Sequence, residues 1–245
     1  MPIPISSLLS LLVILPTQAP LLPSPLPPSP PLLTFTPPPP PDNLGAPGQR
    51  SDGAGSRGCG DIAQLSPTET PLTALVPLYE STQPNLVFSK TSTERPTLWV
   101  YTPYSSPHTA RFALLNSADQ PVYETNVELP DTPGVIRLSL PDTMPPLEPG
   151  EPYHWFFNVY CQSPPPLAFV EGWLQRDTLT AATADQLAQL SASEQVDFYT
   201  ANGFWQDALT AAAISQQSNA NDTHWADLLQ AVGLEDLASE PIIDF

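Results

Sequence analysis

Basic residues are scarce in this chain: seven Lys and Arg stand against 25 Asp and Glu, a formal net charge of −18 at pH 7. Lys90 is the only lysine, and no base follows Arg176. Such a surface repels phosphate backbones and anionic lipid, so nucleic acid is not expected as a partner. The imbalance is also uneven. Residues 1–58 are neutral, with Asp42 and Asp52 against Arg50 and Arg57. Residues 59–176 hold 12 acids and 5 bases, and residues 177–245 hold 11 acids and no base.

Catalytic signatures are missing too. There is no G-x-S-x-G elbow and no HExxH pair. The three histidines, His108, His154 and His224, fall in a loop, a strand and a helix start, without ligand spacing. Glu124 and Glu128 share one strand face roughly 13 Å apart. That is wider than the roughly 5–9.5 Å between paired glycosidase carboxylates. Residues 53–58 read G-A-G-S-R-G and formally match a dinucleotide fingerprint. The fingerprint works only between a strand and a helix, and a proline-rich stretch precedes this one. No catalytic, cofactor-binding or metal-ligating residue is assigned, and no cofactor is expected.

Long apolar runs are absent as well. Residues 6–15, SSLLSLLVIL, have the length of a signal-peptide core and are too short to span a bilayer comfortably. Thr17-Gln18-Ala19 offers the small residues that a leader peptidase reads, although no base precedes the apolar run. Export is therefore expected, to the periplasm, the outer envelope or the medium, with no transmembrane span in the mature chain. Cysteine is limited to Cys59 and Cys161. In an oxidising compartment two cysteines allow one disulfide, and Cys59–Cys161 is the expected pair.

Proline is abundant at 35 residues, and sixteen of them lie in residues 1–50. Proline fixes φ and removes amide donors, so the stretch is neither helix nor central strand. Four segments follow: a leader over 1–19, a Pro/Gly-rich disordered spacer over 20–58, a β-sandwich over 59–176 and an acidic helical module over 177–245.

Period-two alternation marks the sandwich. Tyr123, Thr125, Val127 and Leu129 take one face of 122–129. Ile136, Leu138 and Leu140 take one face of 135–140. Tyr153, Trp155, Phe157, Val159 and Cys161 form one row, opposite His154, Phe156, Asn158 and Tyr160. Further strands are predicted over 97–102, 110–116 and 168–176, with a weaker one over 86–89. Six or seven short strands argue for an α+β chain built on an antiparallel sandwich. The opposite row of 153–161 is either a binding surface or the seat of the helices. Leu147-Glu148-Pro149-Gly150-Glu151-Pro152-Tyr153 resembles the corner ahead of the sixth strand in fibronectin type III and immunoglobulin-like domains. That resemblance implies a buried Tyr153 whose hydroxyl bonds back to the backbone.

From Thr178 the period lengthens. Helices are predicted over 179–190, 194–201, 205–217 and 223–232. Ser191-Ala192-Ser193-Glu194 is a capping box. Gly203-Phe204-Trp205-Gln206-Asp207-Ala208 resembles the turn inside a tetratricopeptide helix pair. One such unit is too little for a solenoid, so the helices are expected to pack on the sandwich.

Several stretches together, PTLWVYTPY at 96–104, ARFALLN at 110–116, YHWFFNVYC at 153–161, VEGWLQR at 170–176 and WADLL at 225–229, resemble a cyanobacterial domain-of-unknown-function family of exported proteins. The resemblance implies export and carries no activity or site residues. The expected function is binding, of a protein or a cell-envelope polymer. The alternative is a hydrolase whose site forms from residues distant in sequence.

Overall fold

The computed structural model describes residues 33–41, 44, 48–52, 70–79, 86–161 and 164–244. The leader, the 53–58 fingerprint and Cys59 lie outside them. The alternating stretches are strands. Their six main members begin and end within one residue of where alternation places them. In chain order the strands are β1 (Ser51–Asp52), β2 (Leu72–Ala74), β3 (Leu78–Tyr79), β4 (Leu86–Thr91), β5 (Thr97–Thr102), β6 (Thr109–Leu115), β7 (Pro121–Glu128), β8 (Gly134–Ser139), β9 (Pro152–Tyr160), β10 (Ala168–Arg176) and β11 (Ile242–Asp244).

They form a five-stranded sheet, β1-β2-β5-β8-β11, and a six-stranded sheet, β3-β4-β10-β9-β6-β7. The expected rows meet between the sheets. Leu98, Val100, Ile136 and Leu138 come from one sheet; Phe112, Leu114, Tyr153, Trp155, Phe157 and Val159 come from the other. The purely antiparallel sandwich needs correction. β10 runs parallel to β4, and β11 runs parallel to β8, so both sheets are mixed. Alternation along a strand specifies its buried face but not the direction of its neighbour.

Four helices follow: α1 (Ala181–Leu187), α2 (Ala192–Ala201), α3 (Trp205–Ser218) and α4 (His224–Ala231). The capping box is formed. The Ser191 Oγ accepts from the Glu194 N–H, and Glu194 Oε2 accepts from the Ser191 N–H at 2.8 Å. α2 and α3 join through Gly203, whose φ of +76° suits glycine.

The helices cover the outer face of the five-stranded sheet and not the His154 row, which lies on the six-stranded sheet. Trp99, Tyr101 and Val135 of the sheet meet Trp205, Leu209, Trp225 and Leu228 in a second core. The Trp99 and Trp225 rings meet edge to face at 5.2 Å. Ala208, Ala211 and Ala212 keep α3 slim enough to lie close to the sheet. β5 is consequently buried on both faces.

Parts of the proline-rich stretch are among the described residues. Residues 33–41 lie against the second core through Phe35, which is buried. Gln49 pairs with Glu171 on β10, and β1 pairs with β2, so 48–52 joins the two sheets along one edge. Composition marks proline-rich chain as unable to make a ladder; it does not report one aromatic anchor among the prolines.

Candidate functional site

The first turn of α3 docks on the ends of β2 and β4 through three buried side chains. The Trp205 Nε1–H donates to the Leu75 carbonyl at 2.7 Å, and Gln206 Nε2 donates to Ser89 Oγ at 3.0 Å. Asp207 receives the Ser92 N–H at 2.9 Å, the Ser92 hydroxyl at 3.2 Å and the Thr93 hydroxyl. An acid in the first turn also suits the positive end of the helix dipole. Burial raises the Asp207 carboxyl above the usual carboxylate range, and the hydrogen bonds from Thr93, Ser92 and Thr91 oppose that rise.

Beside this joint opens a cleft of about 210 Å³. Thr93, Arg95, Pro96 and Thr97 form its sandwich side, and Gln195, Tyr199, Asp207, Thr210 and Ile214 its helical side. The Arg95 Nε–H is held by the Met144 carbonyl at 2.8 Å. The Tyr199 hydroxyl is pushed up to about 12, by burial first and by the Asp207 charge second. Ile214, on the helical side, is 43% exposed. The cleft is thus lined by a carboxylate that accepts from Ser92 and Thr93 and by a guanidinium held to the Met144 carbonyl.

No histidine lines the cleft. His108 Nδ1 lies 2.8 Å from the Ser105 carbonyl, beside the Tyr104 ring. His154 stacks on Trp173 at 4.4 Å. Its Nε2 is 3.0 Å from Glu171 Oε2, an approach within ion-pair distance but off the direction of a hydrogen bond. His224 Nδ1 meets Asp222 Oδ1 at 2.9 Å, and its Nε2 is 3.6 Å from Asp197. Each histidine is occupied by packing partners on a different element. Glu124 pairs with Arg111 at 2.7 Å on the exposed face of the six-stranded sheet, and Glu128 is exposed on the same face. Among the described residues no group of three or more His, Cys, Asp or Glu is placed to hold a metal ion. No described helix is long and apolar enough to cross a membrane.

Tyr153 is 5% exposed, and its hydroxyl accepts the Glu148 N–H at 2.9 Å. Arg176 reinforces this corner, donating from Nη1 to the Leu147 carbonyl at 2.8 Å. Cys161 ends the β9 row, partly buried against the inner core, and is not a free thiol. Its expected partner, Cys59, lies outside the described residues.

Sequence reasoning missed the joint of Asp207 with Ser92 and Thr93. Its signal was a hydroxyl run, Thr91-Ser92-Thr93, and an acid opening a helix. The two are 115 residues apart, and nothing local connects them.

Two mixed sheets, a helical layer on one of them and a small polar cleft at their joint define an α+β layered domain. The chain belongs to the family described as Domain of Unknown Function (DUF928), whose model matches residues 52–242. The match runs from the edge strand β1 to the start of β11, so it takes in both sheets and the helical layer. None of the curated proteins compared with the chain matches it.

Proposed function

We propose that this chain is an exported interaction module, of cyanobacterial type, that binds a protein or envelope partner through the acidic side of its helical layer. The supporting observation is the placement of the charge. Of the eleven acids in 177–245, Asp207 is turned into the fold, whereas Asp185, Asp197, Glu235 and Asp236 are exposed, with no base in the segment to offset them. Such a field steers a basic partner and makes association sensitive to salt. The resemblance of the leader to a signal peptide supports export. The Tyr153 corner supports kinship with fibronectin-like binding sandwiches. A disulfide between Cys59 and Cys161 belongs to the same reading.

Removing 177–245 is not a usable test, because Trp99, Tyr101 and Val135 would lose their cover. Charge neutralisation leaves the core intact. A chain carrying Asp185→Asn, Glu235→Gln and Asp236→Asn should melt like the wild type. It should lose most capture of the partner from the producing cell's own envelope extract. Wild-type capture should weaken as salt is raised from about 50 to about 500 mM, as the Debye length shrinks. Capture that withstands both changes would mean that the acidic side is only a solvated surface.

A further inference from the structure

The docked part of the proline-rich segment occupies a pocket with the features of a peptide site. Phe35 inserts beside Trp205, with ring centroids 4.8 Å apart at 61°. Three residues on, the Pro38 carbonyl accepts the Tyr79 hydroxyl at 2.7 Å. The Pro38 ring lies over Gly203, where a Cβ would come within 3.0 Å of two of its ring carbons. The pocket therefore reads an aromatic ring, one carbonyl and a proline ring. Residues 33–41 belong to no strand, and Tyr79 and Gly203 meet them outside any ladder. Side chains recognise the segment, as in grooves for preformed proline-rich peptides.

The pocket is built from the body alone. Trp205 is held from behind by the Leu75 carbonyl, Tyr79 stands on β3, and Gly203 is fixed by the α2–α3 turn. Tyr79 and Trp205 both fall within the family match, whereas Phe35 and Pro38 lie before it. The family domain supplies the pocket, and a separate segment fills it.

We propose that the Trp205–Tyr79–Gly203 pocket is a docking site for Phe-x-x-Pro segments, and that residues 35–38 are its built-in, displaceable ligand. A short tether gives the resident segment a millimolar effective concentration, so an external segment must outcompete it or find it released. The site is distinct from the acidic side of the helices and does not depend on that reading.

The test uses the full chain and a labelled peptide of residues 32–42. With Phe35→Ala and Pro38→Ala the resident segment loses its anchors. The peptide should then bind that variant about tenfold or more tighter than the wild type, as expected on removing a tethered competitor. The same peptide with alanine for its phenylalanine should not bind. Adding Tyr79→Phe to the variant should weaken binding several-fold, by removal of one donor. Failure of the peptide to bind a folded double variant overturns the proposal, as does equal binding to variant and wild type. If the double variant does not fold, a protease site placed within 42–47 of the wild type replaces it. After cleavage, excess peptide should release the N-terminal fragment while the body stays folded. A fragment retained against millimolar peptide, or a body that unfolds on its release, shows a permanent core piece and overturns the proposal.

Discussion

Tyr153 and Asp207 are buried polar side chains with opposite balances. The Tyr153 hydroxyl sits at the edge of the inner core and satisfies one backbone donor, the Glu148 N–H. Removing only the oxygen leaves that donor stranded, and Tyr153→Phe should cost roughly 1–3 kcal/mol. Thermal or urea unfolding measures it; an unchanged midpoint would mean that the corner contributes nothing. Asp207 is held by more donors but is buried throughout, and burial dominates its ionisation. A raised acid binds its proton more tightly folded than unfolded. Its stabilising contribution is therefore full below the unfolded pKa of about 4 and is lost as pH rises through the folded value. Asp207→Asn does not titrate. The gap in melting temperature between wild type and Asp207→Asn should be widest near pH 4 and narrow towards pH 8. A gap that grows with pH would reverse the assignment.

At the scale of elements, the strands with one buried face and the capped helices were legible, and the short edge strands were not. β11 is three residues long and pairs in parallel with β8, Ile242 with Val135 and Ile243 with Ile136. Three residues carry too little alternation to distinguish a strand from a tail. Gly134 admits it: a Cβ there would stand 2.6 Å from Ile243 Cδ1 and 2.7 Å from the Pro241 carbonyl oxygen. Gly134→Ala should push the terminal strand off β8 at a cost of about 1–3 kcal/mol, the usual range for overpacking. Hydrogen exchange reads this locally, with faster exchange at the Val135 amide, which donates to Pro241 at 2.8 Å. Unaltered protection there would show that the edge yields without strain. The helical layer illustrates a further gap. Its existence and the Ser191 capping box follow from local rules, but its seat does not. Both rows of β8 and β9 carry apolar or aromatic residues, so either sheet had a face that helices could cover.

At the scale of the whole molecule, the described residues ahead of β2 meet the helical layer at two places. Phe35 is held by α3, and Arg50 Nη1 donates to the Val232 carbonyl at 2.9 Å, beyond α4. The expected Cys59–Cys161 bond would close a loop of about 100 residues and stabilise by roughly 4–5 kcal/mol in the chain-entropy description. Thiol titration of the denatured, unreduced chain checks it. No reactive thiol is expected, and two titratable thiols would sink the pairing.

Strand positions, buried rows, the Tyr153 corner and the Ser191 capping box were set by the sequence alone, because each depends on contacts within a few residues or on a period along one element. Only the tertiary structure decided the parallel pairings of β4 with β10 and β8 with β11, the sheet that the helices cover, the Asp207 joint and the docking of Phe35. Each of these joins residues far apart in the chain. Such contacts form when apolar surface finds a partner of matching shape, and shape is a property of the assembled elements that local pattern does not encode.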